Sequence, residues 1–330
     1  MPLSEFDLIA RFFADLTPGR ADVLLGVGDD CALLEVPVGQ QLAVTTDTLL
    51  EGVHFIAGTD PESLGHKALA VNLSDLAAMG AQPAWVTLAL TLPQADEGWL
   101  AAFARGFGGL ARHFGVALVG GDMTRGPLSI TVQAQGLVEA GKALRRDAAQ
   151  PGDLVYVSGT LGDAGLALLA RQGFHVVPRF RDFLQERLDR PRPRLALGRS
   201  LAGVARAGID ISDGLTADLG HVLDASACGA TLYIEQLPLS EALNQYVSEQ
   251  ADWSLPLSGG DDYELLVTLA PERQGMAESL AAECDCDFTW IGIIDSAPEL
   301  RCVDANGNPV HHGNGWDHFA TGAGAPGSNQ

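Results

Sequence analysis

A chain of 330 residues that is 47% hydrophobic and 19% charged has room for two ordinary domains and too much apolar material to be disordered. Its 42 acids against 20 Lys and Arg leave a formal charge of −22, which repels a phosphate backbone and argues against nucleic-acid binding. Five scattered cysteines (Cys31, Cys228, Cys284, Cys286, Cys302) are odd in number and fit reduced, cytoplasmic thiols rather than a disulfide framework.

No basic segment with a cleavable apolar run opens the chain, so no leader is expected. Ser4 caps a predicted helix with Leu8, Ile9, Phe12, Phe13 and Leu16 on one face. Val23–Val27 reads as a short strand entering the turn Gly26-Val-Gly-Asp29-Asp30. Ala32–Val36 and Leu42–Thr46 are expected to pair as a hairpin around Pro37–Gln40. The second run continues as Thr45-Thr46-Asp47-Thr48, the pattern of a buried strand whose last residues leave the core and face a site. His54 follows in a loop, where it can serve structure or ligand equally well.

Ser63–Met79 predicts a helix stopped by Gly80. Its apolar residues run nearly all round, so the helix is buried, and Asn72, Ser74 and Asp75 need partners inside. A metal ion is the economical partner for Asp75, because few basic residues are near; the alternative is a carboxylate capping neighbouring backbone. Leu76–Ala95 carries no charge and is long enough to span a bilayer, yet Gly80, Pro83 and Pro93 break it, so no membrane span is expected. A strand over Ala84–Leu92 and an amphipathic helix over Asp96–Phe114 follow. A short strand, Val116–Val119, then ends in Gly120-Gly121-Asp122, and Leu128–Val138 makes a longer one.

The first domain is expected over 1–145 and the second over 146–320, with 321–330 as a tail. Arg145-Arg146 at the joint could clamp phosphate or stand solvated. After strand Leu154–Ser158, the turn Gly159-Thr-Leu-Gly162-Asp-Ala-Gly165 leads into a helix to Gln172; it could cradle phosphate or permit tight packing. Residues 174–193 read as irregular and Arg194–Ala207 as helical. Strand Gly208–Ile211, turn Ser212-Asp213-Gly214, helix Leu215–Ala225 and strand Ala230–Ile234 come next. A second glycine–acid turn, Ser258-Gly-Gly-Asp261-Asp262, precedes strand Tyr263–Leu269. A helix over Pro271–Glu283 and strands over Phe288–Ile294 and Leu300–Val303 finish an α/β (α+β) fold of alternating helices and strands.

Neither a P-loop, a three-glycine dinucleotide turn nor a kinase H-R-D loop occurs. Instead, Asp29, Asp30, Asp47, Asp75, Asp122, Asp210 and Asp213 sit in turns and strand ends rich in glycine or hydroxyls. Two carboxylates about 4 Å apart repel by roughly 4 kcal/mol at an effective dielectric of about 20, so converging acids bind cations or take up protons. Oxygen donors select Mg²⁺, which shares its shell with substrate phosphates. The pattern permits a metal-dependent phosphoryl-transfer enzyme or a metal-dependent hydrolase.

Gly26-Val-Gly-Asp-Asp30-Cys-Ala, Thr45-Thr-Asp-Thr48, Lys67–Ala81, Leu118-Val-Gly-Gly-Asp122, Ile209-Asp-Ile-Ser-Asp-Gly-Leu215 and Ser258-Gly-Gly-Asp-Asp-Tyr-Glu-Leu265 closely resemble the bacterial thiamine-monophosphate kinase family, from about Phe6 to Phe319. That family lies in the superfamily of aminoimidazole ribonucleotide synthetase and selenophosphate synthetase. The resemblance implies two α/β domains, a homodimer paired through the N-terminal sheets, and ATP-dependent phosphorylation of thiamine monophosphate to thiamine diphosphate. It implies magnesium positions at Asp30, Thr45, Thr46, Asp47, Asp75, Asp122, Asp210 and Asp213, with Asp30, Asp47, Asp75, Asp122 and Asp213 carrying catalysis. Gly121, Asp122, Arg146 and Ser212 match its ATP contacts, and His54, Asp261 and Trp316 its thiamine-phosphate contacts. Asp261 stands where the family usually has Glu, and Met123 where threonine is common. A selenophosphate synthetase would show a reactive Cys or selenocysteine in a glycine-rich N-terminal segment, and none precedes Cys31.

Overall fold

The computed structural model describes residues 4–313 and 315. The chain divides into two compact units, one of residues up to Ala143 with Asp189–Ala202, the other of Leu144–Leu188 with everything from Gly203 onward.

In the first unit, helix α1 (Glu5–Phe12) starts at Ser4, whose side chain caps Asp7 while Asp7 caps Ser4 in return. Strands β1 (Val23–Leu25) and β2 (Leu33–Leu34) pair antiparallel with each other. The expected pairing of Ala32–Val36 with the next strand is therefore corrected. Strand β3 (Gln40–Leu50) runs antiparallel to β6 instead, in unbroken register from Gln40–Glu139 to Leu50–Ser129. Between them in sequence lie α2 (Pro61–Ala78), β4 (Gln82–Leu92), α3 (Glu97–Phe114) and β5 (Ala117–Arg125), and β6 spans Ser129–Glu139. The sheet order is β3-β6-β4-β5, with β4 and β5 parallel.

Helix α2 is buried on every side, as its all-round apolar pattern predicts; Lys67, Asn72 and Ser74 are buried with it. Its crossing with α3 is backbone on backbone. A Cβ on Gly65 would fall 2.1 Å from the Phe103 carbonyl oxygen, and one on Gly106 would fall 1.8 Å from that of Glu62.

In the second unit the elements run β7 (Leu154–Ser158), α4 (Asp163–Arg171), α5 (Arg181–Asp189, whose last residue falls to the first unit), then, beyond α6 (Leu195–Leu201) of the first unit, β8 (Ala207–Ile211), α7 (Leu215–Ser226), β9 (Gly229–Tyr233), α8 (Glu241–Gln250), α9 (Ser254–Ser258), β10 (Glu264–Leu269), α10 (Gln274–Glu283), β11 (Phe288–Asp295) and β12 (Leu300–Val303). The mixed sheet has the order β12-β9-β11-β7-β10-β8. Val155, Val157, Ile209 and Leu266 pack with Leu219 and Val222 of α7 into one core. Tyr156, pointing the other way from β7, stacks on Phe288 and donates its hydroxyl to Glu278 of α10 at 2.7 Å.

Three helices lie where the sequence reading has none. Helix α5 replaces part of the segment expected to be irregular, and α8 and the short α9 fall between the predicted strands Ala230–Ile234 and Tyr263–Leu269. Phe180, Leu184 and Leu188, spaced by four, join Leu243, Tyr246 and Val247 in a second core cluster with α4. The helix expected over Arg194–Ala207 is only α6, because Ala207 already belongs to β8.

One half-buried polar cluster ties the first unit's loops to its core. Asp22 receives Arg20 through both carboxylate oxygens, at 2.9 and 2.6 Å, and the indole N–H of fully buried Trp85 at 3.2 Å. Arg20 also donates to the carbonyl of Gly115, the left-handed residue that ends α3. The Arg20 guanidinium holds the Asp22 carboxyl below the usual range, against the opposing effect of burial. Stability from such a group is present above its unfolded value and lost as pH falls through the depressed folded one. Asp22→Ala is expected to cost about 1–3 kcal/mol at pH 7 in denaturant unfolding. The difference from the parent protein should shrink once the pH drops below about 4.

Candidate active site

In the first unit, residues two apart on β3 meet residues three apart on α2. Thr45 and Asp47 lie on the inward face of β3, where burial alternates along the strand. The Thr45 hydroxyl donates to the Asp75 carboxylate, and the Asp47 amide donates to the side-chain oxygen of Asn72 at 3.1 Å. Asn72, fully buried, donates in turn to the Ala68 carbonyl at 3.1 Å. The polar residues that a buried helix had to satisfy are thus set against the hydroxyl and backbone of the strand end.

The register places the remaining candidates. Asp47, Val132, Leu88 and Gly121 form one row across the four strands. Gly121 therefore lies three strand spacings from Asp47, about 14 Å. A Cβ there would collide with the Leu88 carbonyl oxygen at 1.9 Å, so the position admits only glycine. The next row is Thr48, Thr131, Ala89 and Asp122, which puts Asp122 on the opposite face from Asp47. Thr46 shares that open face, and the Thr48 and Thr131 hydroxyls bond across it at 2.9 Å. Asp30 is exposed in the glycine turn after β1. His54 accepts the Leu50 amide at Nδ1, 3.0 Å away, which leaves the proton of the neutral ring on Nε2.

In the second unit Asp210 is buried on β8, and Ser212 and Asp213 follow in the turn before α7. A second turn packs against this one: the Asp261 amide donates to the Ser212 carbonyl at 2.8 Å, and the Tyr263 amide to that of Ile211 at 2.7 Å. Gly260 must be glycine here, because a Cβ would meet the Ser212 carbonyl oxygen at 2.6 Å. Asp261 and Tyr263 both have left-handed backbone, with φ of 68° and 51°. Asp tolerates that conformation better than Glu, because its short side chain bonds locally; here it accepts the Tyr263 hydroxyl at 2.9 Å. That supplies a physical reason for the shorter acid at this position.

Asp218 went unnoticed in the sequence. It is buried in the first turns of α7, and one oxygen accepts the amides of Ser212, Asp213 and Gly214 at 3.0, 3.0 and 3.1 Å. Burial, with the nearby Asp213 charge, pushes its carboxyl up to about 7 against the pull of those three donors. The signal was a single acid in an otherwise apolar helix face.

The turn from Gly159 to Gly165 is filled from inside. Asp262 accepts the Gly162 amide at 2.8 Å, and Asp163 is buried with the Thr160 and Ser240 hydroxyls donating to it. Arg187 of α5 stands 3.6 Å from Asp163 and 3.1 Å from Glu264. Carboxylates thus occupy the helix start where a phosphate would sit, and the packing role accounts for these glycines. A Cβ on Gly162 would lie 2.8 Å from the Leu255 and Pro256 backbone. At the joint, Asp147 takes the Arg145 guanidinium with both oxygens, while Arg146 is exposed and makes no ion pair among the described residues. Trp316 lies outside the described residues.

Among the described residues no three His, Cys, Asp or Glu side chains are grouped closely enough to hold a metal ion. The donors at the candidate positions are nonetheless all hard oxygens, carboxylate and hydroxyl. They fit Mg²⁺, which takes one or two carboxylates from protein and completes its shell with water and substrate phosphates. None of the five cysteines forms a disulfide.

Comparison with known proteins matches this arrangement to a family. The model for the AIR synthase related protein N-terminal domain matches residues 28–138, and that for the C-terminal domain matches 150–304. Thiamine-monophosphate kinase of Escherichia coli K12 is 47% identical over 324 residues, covering 97% of this chain and all of the relative. The crystal structure of thiamine-monophosphate kinase from Stenotrophomonas maltophilia is 48% identical, with a TM-score of 0.84, over 91% of this chain and 96% of that one. A structure described as "AaThiL complexed with AMPPCP and TMP" is 35% identical, with a TM-score of 0.75, over 89% of this chain and 92% of that one. Similar to these proteins from end to end, in sequence and in fold, the chain belongs to the thiamine-monophosphate kinase family of AIR synthase related proteins.

Proposed function

We propose that this chain transfers the γ-phosphoryl group of ATP to thiamine monophosphate, giving thiamine diphosphate and ADP. The observation that carries the reading is the near-complete coverage, at 35% identity, by a relative complexed with AMPPCP and TMP. A phosphate oxygen of thiamine monophosphate attacks the γ-phosphorus in line, and the bond from that phosphorus to the bridging oxygen of ADP breaks. With its second pKa near 6, the attacking phosphate is already mostly a dianion, so the chain need supply no general base. What it must supply is alignment and relief of the repulsion between two anions.

Asp30, Thr45, Thr46, Asp47, Asp75, Asp122, Asp210 and Asp213 would hold Mg²⁺, which supplies positive charge to the phosphates when bound. The hydrogen bonds described above are consistent with those roles. Thr45 orients the Asp75 carboxylate, and Asn72 fixes the backbone of Asp47. Gly121 lets ATP approach the strand without a side chain in the way, and the exposed Arg146 adds charge at its phosphates. Ser212 contributes a hydroxyl to ATP, while His54, Asp261 and Trp316 contact thiamine monophosphate. Cysteines without disulfides accord with the cytoplasm, where ATP is at hand.

The same reading includes a homodimer. Strand β3 stands at the end of its sheet, paired only with β6 among the described strands. Its outer face leaves Leu42 45% and Val44 54% exposed, and Leu24 of β1 and Leu33 of β2 in the same unit are exposed as well. A long apolar edge strand needs a cover, and a second copy of this sheet provides one.

Purified protein with ATP and Mg²⁺ should release ADP when given thiamine monophosphate and not when given free thiamine or no acceptor, with thiamine diphosphate as the product. ADP release without an acceptor would point to a hydrolase. Asp47→Asn should lower turnover by at least about 10²-fold at saturating Mg²⁺ with an unchanged unfolding midpoint. Near-normal turnover in that variant removes Asp47 from the site. Light scattering after size exclusion should give the mass of two chains, and Leu42→Lys with Val44→Lys should halve it. A parent protein that elutes as one chain contradicts the dimer.

A further inference from the structure

We infer that Asp218 is a positioning residue, which spends the amides of the Ser212–Gly214 turn inward so that the turn meets its ligand with side chains alone. This rests on the reading of Ser212 as a nucleotide contact and Asp213 as a metal position. A turn that opens a helix ordinarily offers its free N–H groups to an anion, and phosphate is the usual taker. Here all three amides, from Ser212, Asp213 and Gly214, end on one oxygen of Asp218, which is 3% exposed.

The turn is also held on its carbonyl side. Ser212 and Ile211 accept the amides of Asp261 and Tyr263. Gly214, at a φ of 113°, lies so close to Ser258 that a Cβ would stand 2.7 Å from its carbonyl carbon. Gripped from both sides, the turn has no amide of its own left for a ligand, and the side chains it presents are the Ser212 hydroxyl and the Asp213 carboxylate. Those groups suit a cation and the nucleotide that shares it, and with its amides already taken the turn has no N–H group to hold a bare phosphate. A side chain that orients a ligand-bearing element in this way typically changes metal affinity by about 10–100-fold when removed.

The test uses the full chain and compares Asp218→Ala, Asp218→Asn and Asp213→Asn. Manganese bound in the presence of a non-hydrolysable ATP analogue is counted by electron paramagnetic resonance. Affinity for the analogue is measured by calorimetry, and the unfolding midpoint by circular dichroism. Asp218→Ala should weaken manganese and analogue binding by about tenfold or more, as should Asp213→Asn. Asp218→Asn, which keeps one acceptor oxygen, should fall between it and the parent. Binding within about twofold of the parent in both Asp218 variants, with Asp213→Asn impaired, overturns the inference and leaves Asp218 a helix cap. If Asp218→Ala does not fold, Asp218→Asn decides: a lowered midpoint with unchanged affinity overturns it. Unchanged binding in Asp213→Asn would overturn the reading of the turn itself, and the inference with it.

Discussion

A helix buried on all sides has nowhere to put a polar side chain except against another polar group, and α2 carries three of them into that position with a fourth, Asp75, half-buried next to them. Leaving one such group unsatisfied costs about 1–3 kcal/mol, comparable to a sizeable share of a domain's whole stability. The consequence is that Lys67, Asn72, Ser74 and Asp75 dictate what must lie opposite. Thr45 and the amide of Asp47 answer two of them, and that answer pins the end of β3 to the helix. The stiffness of the strand end is therefore a by-product of the helix's need to hide its polar atoms. Backbone contact between α2 and α3 at Gly65 and Gly106 leaves the helix no room to turn away from the arrangement.

The second unit reaches the same end by another route. Its buried acids are taken up by backbone amides, hydroxyls and two arginines, Arg187 and Arg206. Asp218 gathers three amides, Asp262 one, Asp163 two hydroxyls, and Glu264 the Ser158 hydroxyl with Arg187 close by. Glycine-rich turns are where such acids can reach the backbone, because no Cβ keeps them off. The chain's acidity is thus divided. Part of it is structural and internally balanced, and part stands on strand ends and open turns.

Much of this was legible in the residues. The all-round apolar pattern of α2 foretold its burial, and the Ser212-Asp213-Gly214 turn marked the end of β8, whereas β3 and β5 run on through Asp47 and Gly120–Asp122 to Leu50 and Arg125. Pairing was less legible, because partner choice is non-local. The short apolar run after Cys31 looked like half of a hairpin with β3, yet it joins β1 against Trp85 and its neighbours. Helix α5 escaped notice because charges crowd Arg181–Asp189, although Leu184 and Leu188 keep the helical spacing. Asp218 and Asp262 were illegible for a deeper reason. An acid on a helix or in a turn looks solvated until the fold brings amides to it. Distance across the sheet was hidden too: Asp47 and Gly121 share a row only once the order β3-β6-β4-β5 is known.

The segment Asp189–Ala202 belongs to the first unit although the chain has by then built β7, α4 and most of α5 of the second. Its helix α6 touches α2 so closely that a Cβ on Gly198 would stand 2.0 Å from the Ala77 carbonyl oxygen, and His66 of α2 bonds the Pro191 carbonyl at 2.9 Å. During synthesis, which proceeds from the N-terminus, the first unit therefore emerges without the piece that covers α2. It stays open for the time needed to translate some sixty residues, roughly 3–12 s at usual elongation rates. Through that interval the buried helix α2 is partly uncovered. The two halves cannot mature one after the other, and the nascent chain is most exposed to chaperones and to misassembly just before residue 202 appears.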